Sequence, residues 1–292
     1  MSLFDADYLA RCEQLALMSR AHFGGRLLGQ RPARQLAGGT EATGYSDYTA
    51  GDDFRYVDWS QCARHDELLS KQFRGDEDIH AYVMLDCSRS MGMGDKWDFA
   101  RRLTGAMTYV AMANLNQVGI TAFADEVVAD FVPTRGKYNA RRVMRFLESL
   151  QLHGDDTNLS AMAETVVRRQ QRPGLAVVVS DLCDPRGFRR GLDILRRAEY
   201  QVHVVQLFDP GEIGTDLLGD VELLHFEPAA RRQHVVMDEK KQKKYRQLFD
   251  EFLRNILRYC HDYSLGCTQT TTEMPFDRRL IHMMHCAALT NR

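Results

Sequence analysis

Apolar positions along this chain recur in two periods that alternate. Near the N-terminus, Leu9, Cys12, Leu15 and Ala16 fall at helical spacing, which predicts a helix over 5–22 that Gly24 and Gly25 close. From residue 79 onward, short apolar runs alternate with amphipathic stretches. Strands are expected at 79–86, 118–123, 127–131, 175–181 and 202–208, and helices at 96–114, 139–150, 158–169 and 188–199. Ala124-Asp125-Glu126 supplies a turn between the second and third strands. Residues 209–237 read as an insertion carrying one hairpin, 222–226 against 233–237, across the turn that begins at Pro228. A long charged-faced helix at 238–263, a Thr-rich strand at 266–272 and a helix at 276–289 follow. Runs such as Leu175-Ala-Val-Val-Val179 are apolar at every position, as in strands buried on both faces. The expected fold class is therefore α/β, a doubly wound, mostly parallel sheet covered on both sides, with an N-terminal helical and irregular extension and a small hairpin insertion.

Residues 24–78 break this rhythm. Gly29, Pro32, Gly38, Gly39, Gly44 and Gly51 punctuate a polar stretch with one strand-like run at 68–73. Tyr45, Tyr48, Phe54, Tyr56 and Trp59 make it too aromatic for a solvated linker, and these rings are expected to be packed. The division expected is a helix plus decorated segment over 1–78 and an α/β domain over 79–292, with the insertion at 209–237.

Composition narrows the function. Lys plus Arg number 38 and Asp plus Glu 40, a net charge of -2, so no basic surface for nucleic acid or anionic lipid is advertised. Hydrophobic residues at 44% and only 7 Pro exclude a disordered chain. No apolar run approaches the roughly 18 residues a membrane helix needs, and Asp5, Asp7, Arg11 and Glu13 interrupt any leader-like stretch, so a cytoplasmic protein without direct membrane insertion is expected. The 7 cysteines are odd in number and lack a CxxC pair, which fits reduced thiols acting as small core residues.

In a doubly wound sheet, ligands bind beyond the carboxyl ends of the strands. Three such loops are rich in oxygen donors: Asp86-Cys-Ser88-Arg-Ser90, Gly154-Asp155-Asp156-Thr157-Asn158 and Ser180-Asp181. Alternate residues 86, 88 and 90 let a turning backbone aim one carboxylate and two hydroxyls at a point. Thr157 and Asp181 complete an all-oxygen shell suited to Mg²⁺ or Mn²⁺. Taken alone, the DxSxS reads equally well as a Ser-rich turn capping the next helix, and Asp155 and Asp156 as helix N-terminal charges. Gly136-Lys137 lacks the rest of a phosphate-binding loop, so nucleotide binding is not expected. His282, His285 and Cys286 read as an ordinary helix face, and the basic runs at 186–197 and 240–244 as solvated ones.

The DxSxS, the later Thr157 and the later Asp181 resemble the metal-ion-dependent adhesion site (MIDAS) of von Willebrand factor A domains. Tyr48-Thr-Ala-Gly51-Asp52-Asp53-Phe-Arg55-Tyr-Val-Asp58-Trp59 with Ala63-Arg64, and Asp209-Pro210-Gly-Glu212, resemble signatures of the family catalogued as domain of unknown function 58. The resemblance covers roughly residues 40 to 290 and carries the following implications. Asp86, Ser88, Ser90, Thr157 and Asp181 would hold a divalent cation, directly or through water. The ion would keep an open position for a partner protein's Asp or Glu, and a MoxR-type AAA+ ATPase or its substrate is the implied partner. The function expected is a non-enzymatic, chaperone-like adaptor; a Mg²⁺-dependent hydrolase and a metal-free scaffold are the competing readings. No general base or leaving-group acid is identifiable in the three loops beyond His153 at their edge. Residues 51–64 read as an anchoring ion-pair network or, less simply, a second functional surface.

Overall fold

The computed structural model describes residues 3–23, 41–48, 54, 57–65, 67–74, 80–114, 116–169, 172–213, 219–223 and 233–290. The chain opens with helix α1 (Ala6–Phe23), strand β1 (Glu41–Asp47), helix α2 (Trp59–His65) and strand β2 (Leu69–Arg74). The alternation then runs β3 (His80–Asp86), α3 (Lys96–Ala113), β4 (Gln117–Phe123), β5 (Val127–Thr134), α4 (Ala140–Ser149), α5 (Leu159–Arg169), β6 (Leu175–Ser180), α6 (Arg189–Arg197) and β7 (Gln201–Phe208). A short helix α7 (Pro210–Ile213), the hairpin β8 (Gly219–Leu223) and β9 (Gln233–Met237), helix α8 (Glu239–Asp262), β10 (Gly266–Thr271) and α9 (Phe276–Thr290) complete it.

The central sheet has the order β10-β7-β6-β3-β4-β5, parallel throughout except for the antiparallel β4–β5 hairpin at one edge. The expected mixed α/β, mostly parallel architecture is thus what the chain forms. β3 lies in the middle, and its side chains alternate between two cores. Ala81, Val83 and Leu85 join α1, α3, α4 and α9 on one face, while Tyr82 and Met84 join α5, α6 and α8 on the other. Each fully buried Val, Leu or Met contributes about 1.5–3 kcal/mol, so a sheet with no solvated face is the arrangement these all-apolar strands favour.

Helix α3 is buried almost all round, as its near-continuous run of Ala, Met, Leu, Val and Tyr requires. Its Gly105 gives α1 room: a Cβ there would stand 2.6 Å from the Tyr8 hydroxyl. That hydroxyl donates to the Arg102 carbonyl at 2.6 Å, and the Arg102 guanidinium lies over the rings of both Tyr8 and Phe276. Helix α1 therefore belongs with the sheet. Residues 1–30 and 79–292 form one compact unit and 31–78 a second, whereas the expected division placed the first helix with the decorated segment. The cause is the apolar stripe of Tyr8, Cys12 and Leu15, which α3 and α9 cover.

In the second unit, β1 and β2 pair antiparallel with an irregularity between Ala42 and Gly44, and Val57 bridges to Ser70. Asp58 caps α2, accepting from the backbone N–H groups of Ser60 and Gln61. Of the aromatic residues expected to be packed, Tyr45, Phe54 and Trp59 are exposed and Tyr48 is half-buried, with Phe54 stacked on Tyr48 at 5.1 Å. Residues 49–53, 55 and 56 of the expected signature, Tyr56 among them, lie outside the described residues. The insertion hairpin pairs Gly219–Leu223 with Gln233–Met237, aligning Val221 with Val235. Its first strand starts three residues before the expected 222, and 224–226 lie outside the described residues.

At the β7–β10 pair, His203 is buried opposite Gly266, and its Nε2 shares a hydrogen bond with Thr268 Oγ1 at 3.0 Å. Burial pushes this imidazole down to about 4, so the folded chain keeps it neutral where the unfolded chain is protonated. Its contribution to stability is complete above the unfolded value of about 6.5 and is lost as pH falls from there toward 4, by up to about 3 kcal/mol. Urea unfolding between pH 7.5 and 4 should show a steeper loss in wild type than in His203→Gln; parallel profiles would refute this account.

Candidate functional site

Two neighbouring parallel strands end side by side here and send their chains to opposite faces of the sheet. After β3 the chain leads to α3 in one core, and after β6 to α6 in the other. That divergence opens a crevice at the carboxyl ends, the place where α/β sheets take ligands. Asp86 is the last residue of β3 and Ser180 the last of β6. The loop before α5 brings Thr157 to the same point.

The five residues singled out in the sequence converge. Asp86 is fully buried; its Oδ1 accepts from the Ser88 backbone N–H at 2.9 Å, and its Oδ2 from the Ser180 hydroxyl at 2.5 Å. The Thr157 hydroxyl lies 3.4 Å from Asp86 Oδ2 and donates to Ser88 Oγ at 2.8 Å. Ser88 and Ser90 share a hydrogen bond at 3.1 Å, and Ser90 helps to hold the Asp181 carboxyl in its ionised form. A continuous hydrogen-bonded chain thus links Asp86, Thr157, Ser88 and Ser90, and the charge of Asp181 is felt at both of its ends. Ser90 is only partly buried, whereas Asp86, Ser88, Thr157 and Asp181 are enclosed. Arg89, Met93, Leu152, His153, Asp155 and Asp156 form an exposed rim.

Backbone geometry holds the loops. Leu182, directly after Asp181, sits at φ 60, an unusual value for a branched apolar residue, and its N–H donates to Ser180 Oγ at 2.8 Å. The Cys183 N–H donates to Asp181 Oδ1 at 3.0 Å. Asp184 caps α5 by accepting from the Leu159 N–H at 2.8 Å, which ties the Thr157 loop to the strand end that carries Asp181. Asp155 bonds Arg89 at 3.1 Å on the surface, away from the enclosed donors.

A second group of charges was not recognised in the sequence. Lys96, the first residue of α3, is completely buried, and its Nζ donates to Asp181 Oδ2 at 2.9 Å and Glu212 Oε1 at 2.6 Å. Glu212 Oε2 accepts from the Asp209 N–H at 2.7 Å. Gly94, at φ 56, permits this approach, since a Cβ there would stand 2.2 Å from Asp209 Oδ2. The Asp209-Pro-Gly-Glu212 signature therefore serves to place a carboxylate on Lys96. The signal in the sequence is Lys96 itself: a lysine in the first turn of a helix opposes the helix dipole and calls for a carboxylate to offset it.

Charge is unevenly balanced across the site. Burial, and then repulsion from Asp181, raise the Asp86 carboxyl well above the ordinary carboxylate range, against the hydrogen bonds from Ser180 and Ser88. Burial pushes Asp181 in the same direction, but the Lys96 ammonium overrides it and holds Asp181 below the usual range. Lys96, which burial alone would discharge, is kept charged by Asp181 and then Glu212. Asp86 receives only hydroxyl and N–H donors among the described residues, and two enclosed carboxylates with two enclosed hydroxyls and the half-buried Ser90 hydroxyl fit a hard cation in their chemistry. Among the described residues no cluster of three or more His, Cys, Asp and Glu side chains is placed to hold a metal ion, so any ion here depends on the hydroxyls.

Over 196 residues, 64% of this chain and 60% of the relative, the sequence is 26% identical to the "Uncharacterized protein Rv1480" of Mycobacterium tuberculosis. The chain thus spans about 60% of the length of that curated relative. A solved structure of the conserved hypothetical protein BatB from Bacteroides thetaiotaomicron is similar, with 15% identity, a TM-score of 0.45, and coverage of 72% of this chain and 99% of that one. An aerotolerance-related membrane protein from Bacteroides fragilis matches with 15% identity, a TM-score of 0.45, and coverage of 71% and 99%. The expectation of a cytoplasmic protein is corrected at this point. No described helix is long and apolar enough to cross a membrane, yet a solved chain similar to this one is described as a membrane protein. The physical reason is that an enclosed sheet domain has the same water-facing surface whether or not its chain is tethered to a bilayer, so such a domain does not report compartment. The family model for "Protein of unknown function DUF58" matches residues 44–255, and the chain belongs to that family.

Proposed function

We propose that the chain carries a von Willebrand factor A-like domain whose MIDAS-type site binds Mg²⁺ or Mn²⁺ and docks a carboxylate of a partner protein, in a non-enzymatic, chaperone-like adaptor role. The observation that carries this reading is the convergence of Asp86, Ser88, Ser90, Thr157 and Asp181 from two strand ends and the loop before α5, the first four joined by hydrogen bonds. An ion held there would supply a Lewis-acidic positive charge to which a partner's Asp or Glu is drawn. Asp86 and Asp181 provide the charge that holds it; Ser88, Ser90 and Thr157 provide neutral oxygens, which leave that charge incompletely cancelled. The exposed rim of Arg89, Met93, Leu152, His153, Asp155 and Asp156 offers mixed polar and apolar contacts, with Arg89 already paired to Asp155. By resemblance, the partner is a MoxR-type AAA+ ATPase or its substrate. The adaptor reading is also supported by the state of the one lysine in the site: Lys96 is enclosed and engaged by two carboxylates, which leaves it no freedom to transfer a proton.

Isothermal titration should find one site for Mn²⁺ or Mg²⁺, with a rise in melting temperature equivalent to about 2.7 kcal/mol at a ligand concentration 100 times Kd. Asp86→Asn, nearly isosteric but uncharged, should abolish both effects, and retention of wild-type binding would refute the site. Capture of an AAA+ partner on immobilised protein should be lost in EDTA and in Thr157→Val, while the melting temperature of that variant measured without metal stays within a few degrees of wild type. Capture that survives both treatments would place the interface elsewhere. Purified protein should turn over neither ATP, phosphate esters nor peptides; metal-dependent turnover lost in Ser88→Ala would favour the hydrolase reading.

A further inference from the structure

We propose that Lys96 sets the charge of this site: its ammonium holds Asp181 back from an incoming divalent cation, and Glu212 moderates it by drawing the ammonium the other way. This rests on the metal reading given above and goes beyond it by assigning a role to two residues outside the proposed ligand set.

The geometry has three parts. Lys96 Nζ is sealed from solvent and lies between two carboxylates from different loops, Asp181 after β6 at 2.9 Å and Glu212 on α7 at 2.6 Å. An ammonium without water in the first turn of a helix is unfavourable on both counts, so its position is justified only by those two contacts. Asp181, its near partner, is one of the two carboxylates of the proposed ligand set and lies close enough to Asp86 for their charges to repel. The ammonium therefore engages a carboxylate whose charge an ion would need. Counted as ionised groups, Asp86, Asp181 and Glu212 oppose a single ammonium, leaving two negative charges that one divalent ion cancels.

Opposite effects follow from removing the two partners. Without Glu212 the ammonium is committed to Asp181 alone and its full positive charge faces the ion, so metal binding weakens. Without the ammonium Asp181 is released and binding tightens. A purely structural role for the pair would weaken binding in both cases, because either loss would loosen the loops.

The test is Mn²⁺ titration, followed by the electron paramagnetic resonance signal of the free ion, on the full chain as wild type, Glu212→Gln, Lys96→Met and the double variant Lys96→Met/Glu212→Gln. The double variant leaves only Asp181 without its counter-charge, where Lys96→Met leaves both Asp181 and Glu212, so it keeps the test valid if Lys96→Met by itself does not fold. The expected result is a Kd raised in Glu212→Gln and lowered in the double variant, each by about 10- to 100-fold, the range seen when residues supporting metal ligands are changed. Binding detected only in the double variant also supports the proposal, since the ammonium would then exclude the metal altogether. Shifts in the same direction, or no shift, with wild type still binding, overturn the role of Lys96 and leave the metal reading intact. Absence of Mn²⁺ binding in all four proteins overturns both.

Discussion

Two carboxylates at the ends of β3 and β6, strands buried on both faces, must give up their water, and the arrangement around them follows from that constraint. An isolated buried carboxylate is costly enough that it either protonates or gathers donors and counter-charge around it. Asp181 has found counter-charge in Lys96 and a hydrogen bond in the Cys183 N–H. Asp86 has found donors only, in Ser88, Ser180 and Thr157. The pair is therefore asymmetric: one acid is balanced by a counter-charge within the protein, and the other is not.

The fold meets the constraint through the switch between the two faces. Because α3 and α6 lie on opposite sides of the sheet, the loops after β3 and β6 diverge and leave their carboxylates facing the same crevice. Rigid backbone features keep them there, with Leu182 at positive φ beside Asp181 and Gly94 yielding space to Asp209. The helix that carries Lys96 is itself enclosed by α1, α4 and α9, so the ammonium is delivered by an element with little freedom to shift. The first and last helices, which lie outside the span of the family match, thus support the position of a residue deep within it.

Much of this was legible from local pattern. The strands β3, β6 and β7 announce themselves as short apolar runs because a strand buried on both faces tolerates no polar alternation, and the helices between them carry amphipathic or wholly apolar stripes. The donors Asp86, Ser88, Ser90 and Asp181 could be named because each sits at or just after the end of such a run, where a doubly wound sheet exposes its strand ends, and Thr157 because it stands in a polar loop that opens a helix. The hairpin was found but begun three residues late, since Gly219 and Asp220 give no apolar signal of their own and enter the strand through pairing with Met237 and Val236.

What the sequence by itself determined, then, was the alternation, the fold class and the oxygen-rich loops, all of which rest on neighbours a few positions apart. Which surfaces meet was decided by the tertiary structure. That the stripe on α1 covers α3, and that Tyr8 locks onto Arg102 across 94 positions, is a matter of shape complementarity around Gly105. The same holds for Lys96, whose partners lie 85 and 116 positions away. Its unfavourable place at a helix start hinted that a carboxylate was needed, and only the packing of the β6 and β7 loops against α3 determined that Asp181 and Glu212 would be the ones, because long-range charge pairing leaves no period in a sequence.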